Sequence, residues 1–269
     1  MNPSVTHRDI SRFSPPDSQQ SAVSLATFFH REGYALLEGV LTPEQVALWI
    51  ERTEKARTDS TSSAAVSNSS GVYALRNLVD VIPESKELLQ YPALATIVNA
   101  VLGPNAFLIR STLFDKTDGA NWGVFWHQDL AIAVTERHDV PGFHAWTRKA
   151  GVVCVQPPTE VLSQILTVRL SLDPCHTDNG ALKVLPGSHK AKWNSGDIDQ
   201  MTKGGTAVLC ETGAGGAVLM SPLTLHASSP MNVPGHRRVI HLEFAAMELP
   251  EPLDWNYRIP VCPNETTTL

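Results

Sequence analysis

The chain has 269 residues, 42% of them apolar, and a formal net charge of −6 with a pI near 5.9. That length and apolar content suffice for one large domain with a sizeable core. The acidic balance, with no clustered basic patch, argues against a nucleic-acid or membrane-surface partner.

Four cysteines, Cys154, Cys175, Cys210 and Cys262, are spaced too widely for a CxxC metal motif or a dense disulfide framework. Reduced thiols in a cytoplasmic protein are the simplest expectation. Residues 1–20 are polar, contain Pro15-Pro16 and lack the basic and apolar parts of a signal peptide, so they read as a loose arm. No run approaches the roughly 20 apolar residues of a membrane span.

Residues 21–103 read as a mainly helical flank. Ser21 to Gly33 is expected as a short helix, and Tyr34-Ala35-Leu36-Leu37 as a short strand. Leu41-Thr42-Pro43-Glu44-Gln45 opens a second helix, with Thr42 as cap, Pro43 at the first helical position and Gln45 completing a capping box. That helix is expected to end near Arg57. Thr58 to Gly71, rich in Ser, Thr and Asn, reads as a mobile loop. Tyr73 to Val79 is a candidate strand, and Pro83 to Leu102 has a helical pattern ending at Gly103-Pro104.

After Gly103 the periodicity changes. Ala106–Phe114, Leu166–Leu172, Ala181–Leu185, Thr206–Leu209, Gly216–Met220, Leu223–His226 and Arg237–Phe244 are short, apolar or alternating, and bounded by turn formers. The fold class that follows is α+β, mainly β: a jelly-roll (double-stranded β-helix) core over 104–246, flanked by N-terminal helices, with 247–269 as a C-terminal tail, in one domain. Residues 130–165 form an insert without clear structure of its own, expected as a lid over a site or as a solvated crossover.

Chemistry concentrates in Trp122-Gly123-Val124-Phe125-Trp126-His127-Gln128-Asp129-Leu130. On or at the end of a strand, side chains alternate, so His127 and Asp129 point together and Gln128 points elsewhere. The best third ligand is His226, in Ser221-Pro222-Leu223-Thr224-Leu225-His226-Ala227-Ser228. Two histidines and a carboxylate with open positions suit a non-haem Fe(II) oxygenase. The same set suits Zn with a bound water, as in a redox-inert hydrolase or isomerase.

From His226 the chain passes turn material into Arg237-Arg238-Val239-Ile240-His241-Leu242-Glu243-Phe244, which places Arg237 deeper in the barrel than the metal. A guanidinium there makes a bidentate link to a carboxylate, so 2-oxoglutarate is the suggested cosubstrate. Arg238 competes for the role but shares a face with Ile240, Leu242 and Phe244. His189, among turn formers, is expected to make a local bond. His241 either lines the cavity or is satisfied in the core.

These blocks, with Phe114-Asp115-Lys116, Asp178-Asn179-Gly180-Ala181-Leu182-Lys183-Val184-Leu185-Pro186-Gly187-Ser188-His189-Lys190, Asn232 and Arg237, resemble the phytanoyl-CoA dioxygenase-like Fe(II)/2-oxoglutarate oxygenases over roughly Gly103 to Ala246. The resemblance implies that His127, Asp129 and His226 bind iron, that Arg237 grips the cosubstrate's C5 carboxylate, and that Ser228 and Lys116 lie near it. It further implies an oxygenase using Fe(II), 2-oxoglutarate and O2 to hydroxylate an unactivated C–H bond of a small-molecule metabolite, releasing succinate and CO2. Retention of Asp129 argues against halogenation. A non-catalytic binding module would be expected to have lost a ligand or Arg237, and none is missing.

Two departures from the family stand out. Where many relatives carry Trp, this chain has Arg169, which either meets an anionic substrate or pairs with an acid; Thr167 shares its face and is grouped with the cosubstrate residues. The other is the insert at 130–165, which weakens any transfer of the acyl-CoA substrate. Trp122, Trp126, Gln128, Trp146, Phe143 and Arg76 are further candidates for the substrate pocket. Monomer and homodimer remain open.

Overall fold

The structure is a computed structural model that describes residues 4–6, 11–59, 64–68 and 71–262. Its design follows from alternation along the strands of one large sheet. In His236–Ala245, Ile240, Leu242 and Phe244 face a layer of helices, while Arg237, His241 and Glu243 face the interior cavity. In Leu166–Ser171, Val168 and Leu170 join the helix-facing core and Arg169 turns inward.

The large sheet runs in the order Arg12–Phe13, Tyr34–Leu37, Ala217–Met220, Leu166–Ser171, His236–Ala245, Phe107–Thr117, Gly71–Arg76 and Ala65–Asn68. Its register pairs Arg169 with His241 and Lys116 with Arg237. The second sheet runs Ser4–Thr6, Thr206–Cys210, Leu182–Val184, His226–Ser228 and Val124–His127. Together they make the expected jelly roll. Tyr34, Leu36, Val184, Val208, Val218 and Met220 fill one end of the space between them.

The flanking helices exist because their ends are satisfied and one stripe is apolar. Gln19–Glu32 is capped by Ser18, whose hydroxyl accepts from the Ser21 amide, and it ends at Gly33 with φ 80°. Pro43–Asp59 carries the expected capping box: the Thr42 amide donates to Gln45 Oε1 at 2.9 Å and the Gln45 amide to Thr42 Oγ1 at 3.3 Å. With Pro92–Leu102 they lay Leu25, Trp49, Leu94 and Ile97 against the back of the large sheet. Among the described residues no helix is long and apolar enough to cross a membrane.

Five expectations are corrected. The arm is not loose where it is described, since Ser4–Thr6 and Arg12–Phe13 pair in parallel with Thr206–Cys210 and Tyr34–Leu37. The expected loop Thr58–Gly71 contains the strand Ala65–Asn68, paired to Gly71–Arg76; residues 60–63 and 69–70 lie outside the described residues. The Tyr73–Val79 strand stops at Arg76, because Asn77 adopts a left-handed φ of 53° and opens the short helix Leu78–Val81. Pro83–Leu102 is two helices, Pro83–Gln90 and Pro92–Leu102, broken because the residue before a proline avoids helical dihedrals; Tyr91 has ψ 122°.

The fifth concerns the insert, which has structure of its own. Ile132–Val134, Val152–Gln156 and His144–Lys149 form an antiparallel sheet over a separate apolar cluster that includes Val134, Phe143, Val155 and Leu162. The presumed tail contributes Leu249, Leu253 and Trp255 to that cluster. Ile259–Pro260 then pairs with Phe107 and Leu108.

Candidate active site

His226 opens the strand His226–Ser228 and lies directly opposite His127 at the end of Val124–His127, their ring centroids 4.1 Å apart. Pairing resumes at Ser228 opposite Val124, so the second strand carries an extra residue between the two pairs. This bulge lets Val124 and His127 both face the cavity and throws Phe125 into solvent, 94% exposed. Asp129 follows just past the strand, its amide donating to the Pro222 carbonyl at 2.9 Å.

The three candidate ligands converge. His127 Nε2 is 3.6 Å from Asp129 Oδ1, His226 Nε2 is 3.5 Å from Asp129 Oδ2, and one ligand atom from each residue lies within 4.8 Å of the others. Each imidazole Nδ1 pairs with a backbone carbonyl, Phe125 O for His127 and Thr224 O for His226, both at 2.9 Å. That bond puts the proton on Nδ1 and leaves each Nε2 lone pair for a metal. Burial pushes His226 down to about 4, so it is neutral at neutral pH. Burial opposes ionisation of Asp129, yet the charge that His226 carries at low pH and the contact with His127 hold its carboxyl well below the usual range. Burial opposes protonation of His127 but Asp129 raises its pKa, so a divalent ion would take both imidazoles and the carboxylate by displacing any proton on the His127 Nε2.

Gln128 is pinned away from the cavity. Its Nε2 donates to the Leu223 carbonyl at 2.5 Å and to the Ala191 carbonyl at 2.8 Å, and its Oε1 accepts from the Trp193 amide at 2.9 Å. Gln128 is therefore not among the residues that line the cavity.

The cavity that the candidate ligands line, about 300 Å³ in volume, is also lined by Arg237, Lys116 and Ser228. Arg237 is 3% exposed, donates to the Gly180 carbonyl, and has a buried Nε with no partner among the described residues. Arg238 is already engaged, by Asp173 at 2.9 Å and Glu54 at 3.0 Å. Alternation thus separates a committed arginine from an available one. Lys116 is fully buried and donates to Ser228 Oγ at 3.0 Å and the Ser229 carbonyl at 2.8 Å. Glu54, Asp115 and His236 form a second group with metal-ligand spacing. Arg57 and Arg238 neutralise it, which makes it an ion-pair cluster.

Gly180 holds this part of the site together. With φ 73°, a Cβ there would lie 2.2 Å from the Ser229 carbonyl oxygen and 3.3 Å from Lys116 Nζ. Gly180→Ala is expected to cost about 1–3 kcal/mol through left-handed strain alone, more with the clash. Chemical denaturation would register that loss; a wild-type midpoint would contradict the close approach.

The remaining sequence candidates divide. Arg76 and Arg169 line the cavity. Thr167 is buried off its wall, with Oγ1 unpartnered among the described residues. Trp126 also stays off the wall, and Phe143 and Trp146 pack in the insert's cluster, where the Arg137 guanidinium lies 5.6 Å from the Trp146 ring. His189 Nε2 pairs with the His30 carbonyl at 3.1 Å, a contact to the first helix rather than the local bond expected. His241 both lines the cavity and is satisfied, by Glu243 at 3.2 Å and Arg169 at 2.9 Å.

Sequence reasoning missed Arg110, Thr112, Lys149, Cys154 and Glu243, which also line the cavity. Glu243 was within reach of it, two residues from His241 on the inward face. Lys149 and Cys154 come from the insert, whose path carried no such signal.

Comparison with known proteins supplies the context. The sequence pattern of the phytanoyl-CoA dioxygenase (PhyH) family matches residues 29–239. Ectoine dioxygenase of Nocardia farcinica (strain IFM 10152) is 22% identical over 167 residues, covering 60% of this chain and 49% of that protein. The chain thus spans about half the length of that relative. AviO1 from Streptomyces viridochromogenes Tue57 shares the fold at a TM-score of 0.63, with 22% identity over 87% of this chain and 97% of that one. EctD from S. alaskensis with bound Fe superposes at 0.67, with 18% identity over 98% of this chain and 95% of that one. Another EctD structure holds 2-oxoglutarate and 5-hydroxyectoine, with a TM-score of 0.65 and 18% identity over 91% and 83% of the two chains. The family match runs from the first helix through both ligand-bearing strands to the start of the strand that carries Arg237, and on that span the chain belongs to the phytanoyl-CoA dioxygenase family.

Proposed function

We propose that the chain is an Fe(II)- and 2-oxoglutarate-dependent dioxygenase that hydroxylates a C–H bond of a small molecule, with release of succinate and CO2. One observation carries the reading. Three ligand atoms converge within 4.8 Å in a cavity that also buries Arg237 and Lys116 without a carboxylate partner among the described residues. A redox-inert hydrolase would leave those two cations with no group to receive.

When bound, Fe(II) and 2-oxoglutarate supply the activation of O2 and the oxidising equivalents. The chain supplies geometry. His127, His226 and Asp129 would hold the metal, their orientation fixed by the Phe125, Thr224 and Pro222 carbonyls. Arg237 would take the C5 carboxylate in a two-point contact, and Lys116 and Ser228 would flank it. Val124, Phe114, Leu182 and Val152 line the wall and limit water.

Anaerobic Fe(II) plus 2-oxoglutarate should produce a charge-transfer absorbance that Zn does not. Succinate release over a panel of metabolites should then stop in His127→Ala. Unchanged turnover in that variant would refute the ligand assignment.

Lys116 gives this reading a pH signature. Burial, reinforced by Arg237 and Arg169, lowers its ammonium from 10.5 to about 7. Only the cation attracts a carboxylate, so 2-oxoglutarate binding should weaken as pH rises through 7, by up to about tenfold per pH unit, with proton uptake on binding. Calorimetry with Mn(II) in buffers of different ionisation enthalpy measures that uptake. Lys116→Met should abolish it.

A further inference from the structure

We propose that the primary substrate carries an oxyanion, carboxylate or phosphate, which Arg169 binds inside the cavity and Arg76 and Lys149 attract at its mouth. This rests on the Fe(II)/2-oxoglutarate reading, because it concerns the charge left over once that cosubstrate is seated.

The chain as a whole carries a net charge of −6, yet its cavity is lined by six cations, Arg76, Arg110, Lys116, Lys149, Arg169 and Arg237, against two carboxylates, Asp129 and Glu243. Glu243 is committed to Arg110 at 3.3 Å and His241 at 3.2 Å. Asp129 faces the two metal-binding histidines. The other five cations have no ion-pair partner among the described residues. A divalent metal would add two positive charges and a dicarboxylate would remove two, so the excess of cations survives loading. Low-dielectric walls focus such a field onto whatever enters. Burying cations without counter-charge is costly, and a substrate that brings the missing charge offsets the cost.

Arg169 is oriented for that task. Arg110 holds Glu243, Glu243 accepts from His241 Nε2, and His241 Nδ1 is thereby left to accept one Nη1 hydrogen of Arg169 at 2.9 Å. The chain of contacts fixes one corner of the guanidinium and leaves its other donors for two oxygens of an oxyanion. The Phe114 ring, 5.8 Å from the Arg169 Cζ, supports its face. At the mouth, Asn77 Nδ2 donates to the Ala150 carbonyl at 3.3 Å, which brings the adjacent residues Arg76 and Lys149 to one rim. Ala150 and Gly151, with φ 49° and 80°, form the tight turn that presents Lys149 there.

The test uses the full chain loaded with Mn(II) and 2-oxoglutarate, titrated by calorimetry with inorganic phosphate, butyrate and neutral butyramide. The expected result is that phosphate or butyrate binds at least tenfold more tightly than butyramide, with the difference shrinking in high salt. Which of the two anions binds tells phosphate from carboxylate. Arg169→Gln should weaken the bound anion at least tenfold and leave 2-oxoglutarate within about threefold, while Arg169→Lys recovers part of the loss. Arg76→Gln combined with Lys149→Gln should weaken the anion and steepen no other binding; this pair carries the test if Arg169→Gln does not fold. Equal binding of butyramide and the anions overturns the proposal. So does loss of 2-oxoglutarate affinity in Arg169→Gln, which would assign Arg169 to the cosubstrate. If wild-type protein with Mn(II) fails to bind 2-oxoglutarate at all, the dioxygenase reading falls first and takes this inference with it.

Discussion

Replacing His226 by alanine should eliminate tight Fe(II) binding and lower turnover by about 10³-fold or more, since a catalytic metal contributes several kcal/mol and each 1.36 kcal/mol is tenfold in rate. His226 is 4% exposed and belongs to the strand that also carries Ser228, so the chain around it has little freedom to offer a substitute ligand. The apoprotein should lose little by comparison. The substitution strands the Thr224 carbonyl, which accepts from Nδ1 at 2.9 Å, at a cost of about 1–3 kcal/mol. Two measurements separate the effects. Wild-type protein should gain thermal stability on adding metal, about 2.7 kcal/mol at a hundredfold excess over Kd, and His226→Ala should gain none. Stoichiometric metal in the purified variant would sink the assignment.

The convergence at the metal site was legible for a simple reason. His127 and Asp129 are two residues apart, and a strand end turns that spacing into one direction. The bulge that seats His127 opposite His226 was not legible, because it depends on where two distant segments pair. Arg237 could be told from Arg238 by alternation alone, since Arg238 shares its face with Ile240, Leu242 and Phe244, all packed against the helices. The same rule misled at Thr167, which shares the face of Arg169 yet ends up buried behind the wall. Of the aromatic candidates Trp122 lines the cavity, and two of the others lie off it for another reason. Phe143 and Trp146 serve a separate apolar cluster of the insert, and nothing local in 130–165 announced that its three strands would pair with one another. Composition likewise hid the charged cavity: an acidic chain can line one interior surface with cations, and only the fold brings Arg76, Lys149 and Arg169 to it.

Arg237→Met should separate stability from function with opposite signs. In the apoprotein the Arg237 guanidinium is buried against the Gly180 carbonyl, its Nε has no partner among the described residues, and burial lowers its pKa. Replacing an uncompensated buried charge by an apolar side chain of similar length relieves desolvation. The Gly180 carbonyl loses a donor in exchange, at about 1 kcal/mol. The net expectation is an apoprotein at least as stable as wild type, where each 1 kcal/mol gained raises Tm by about 2–4 °C in a chain of this size. Binding of 2-oxoglutarate should collapse instead. Removing one partner of a buried charge pair costs about 2–5 kcal/mol, or roughly 30-fold to 4,000-fold in Kd. Arg237→Lys should fall between, because an ammonium keeps the charge but loses the two-point contact. Paired thermal melts and 2-oxoglutarate titrations with Mn(II) read both quantities on the same samples. A stabilised variant that still binds 2-oxoglutarate within threefold of wild type would move the distal carboxylate to another cation of the cavity. A destabilised one would make Arg237 a strut for the Gly180 turn.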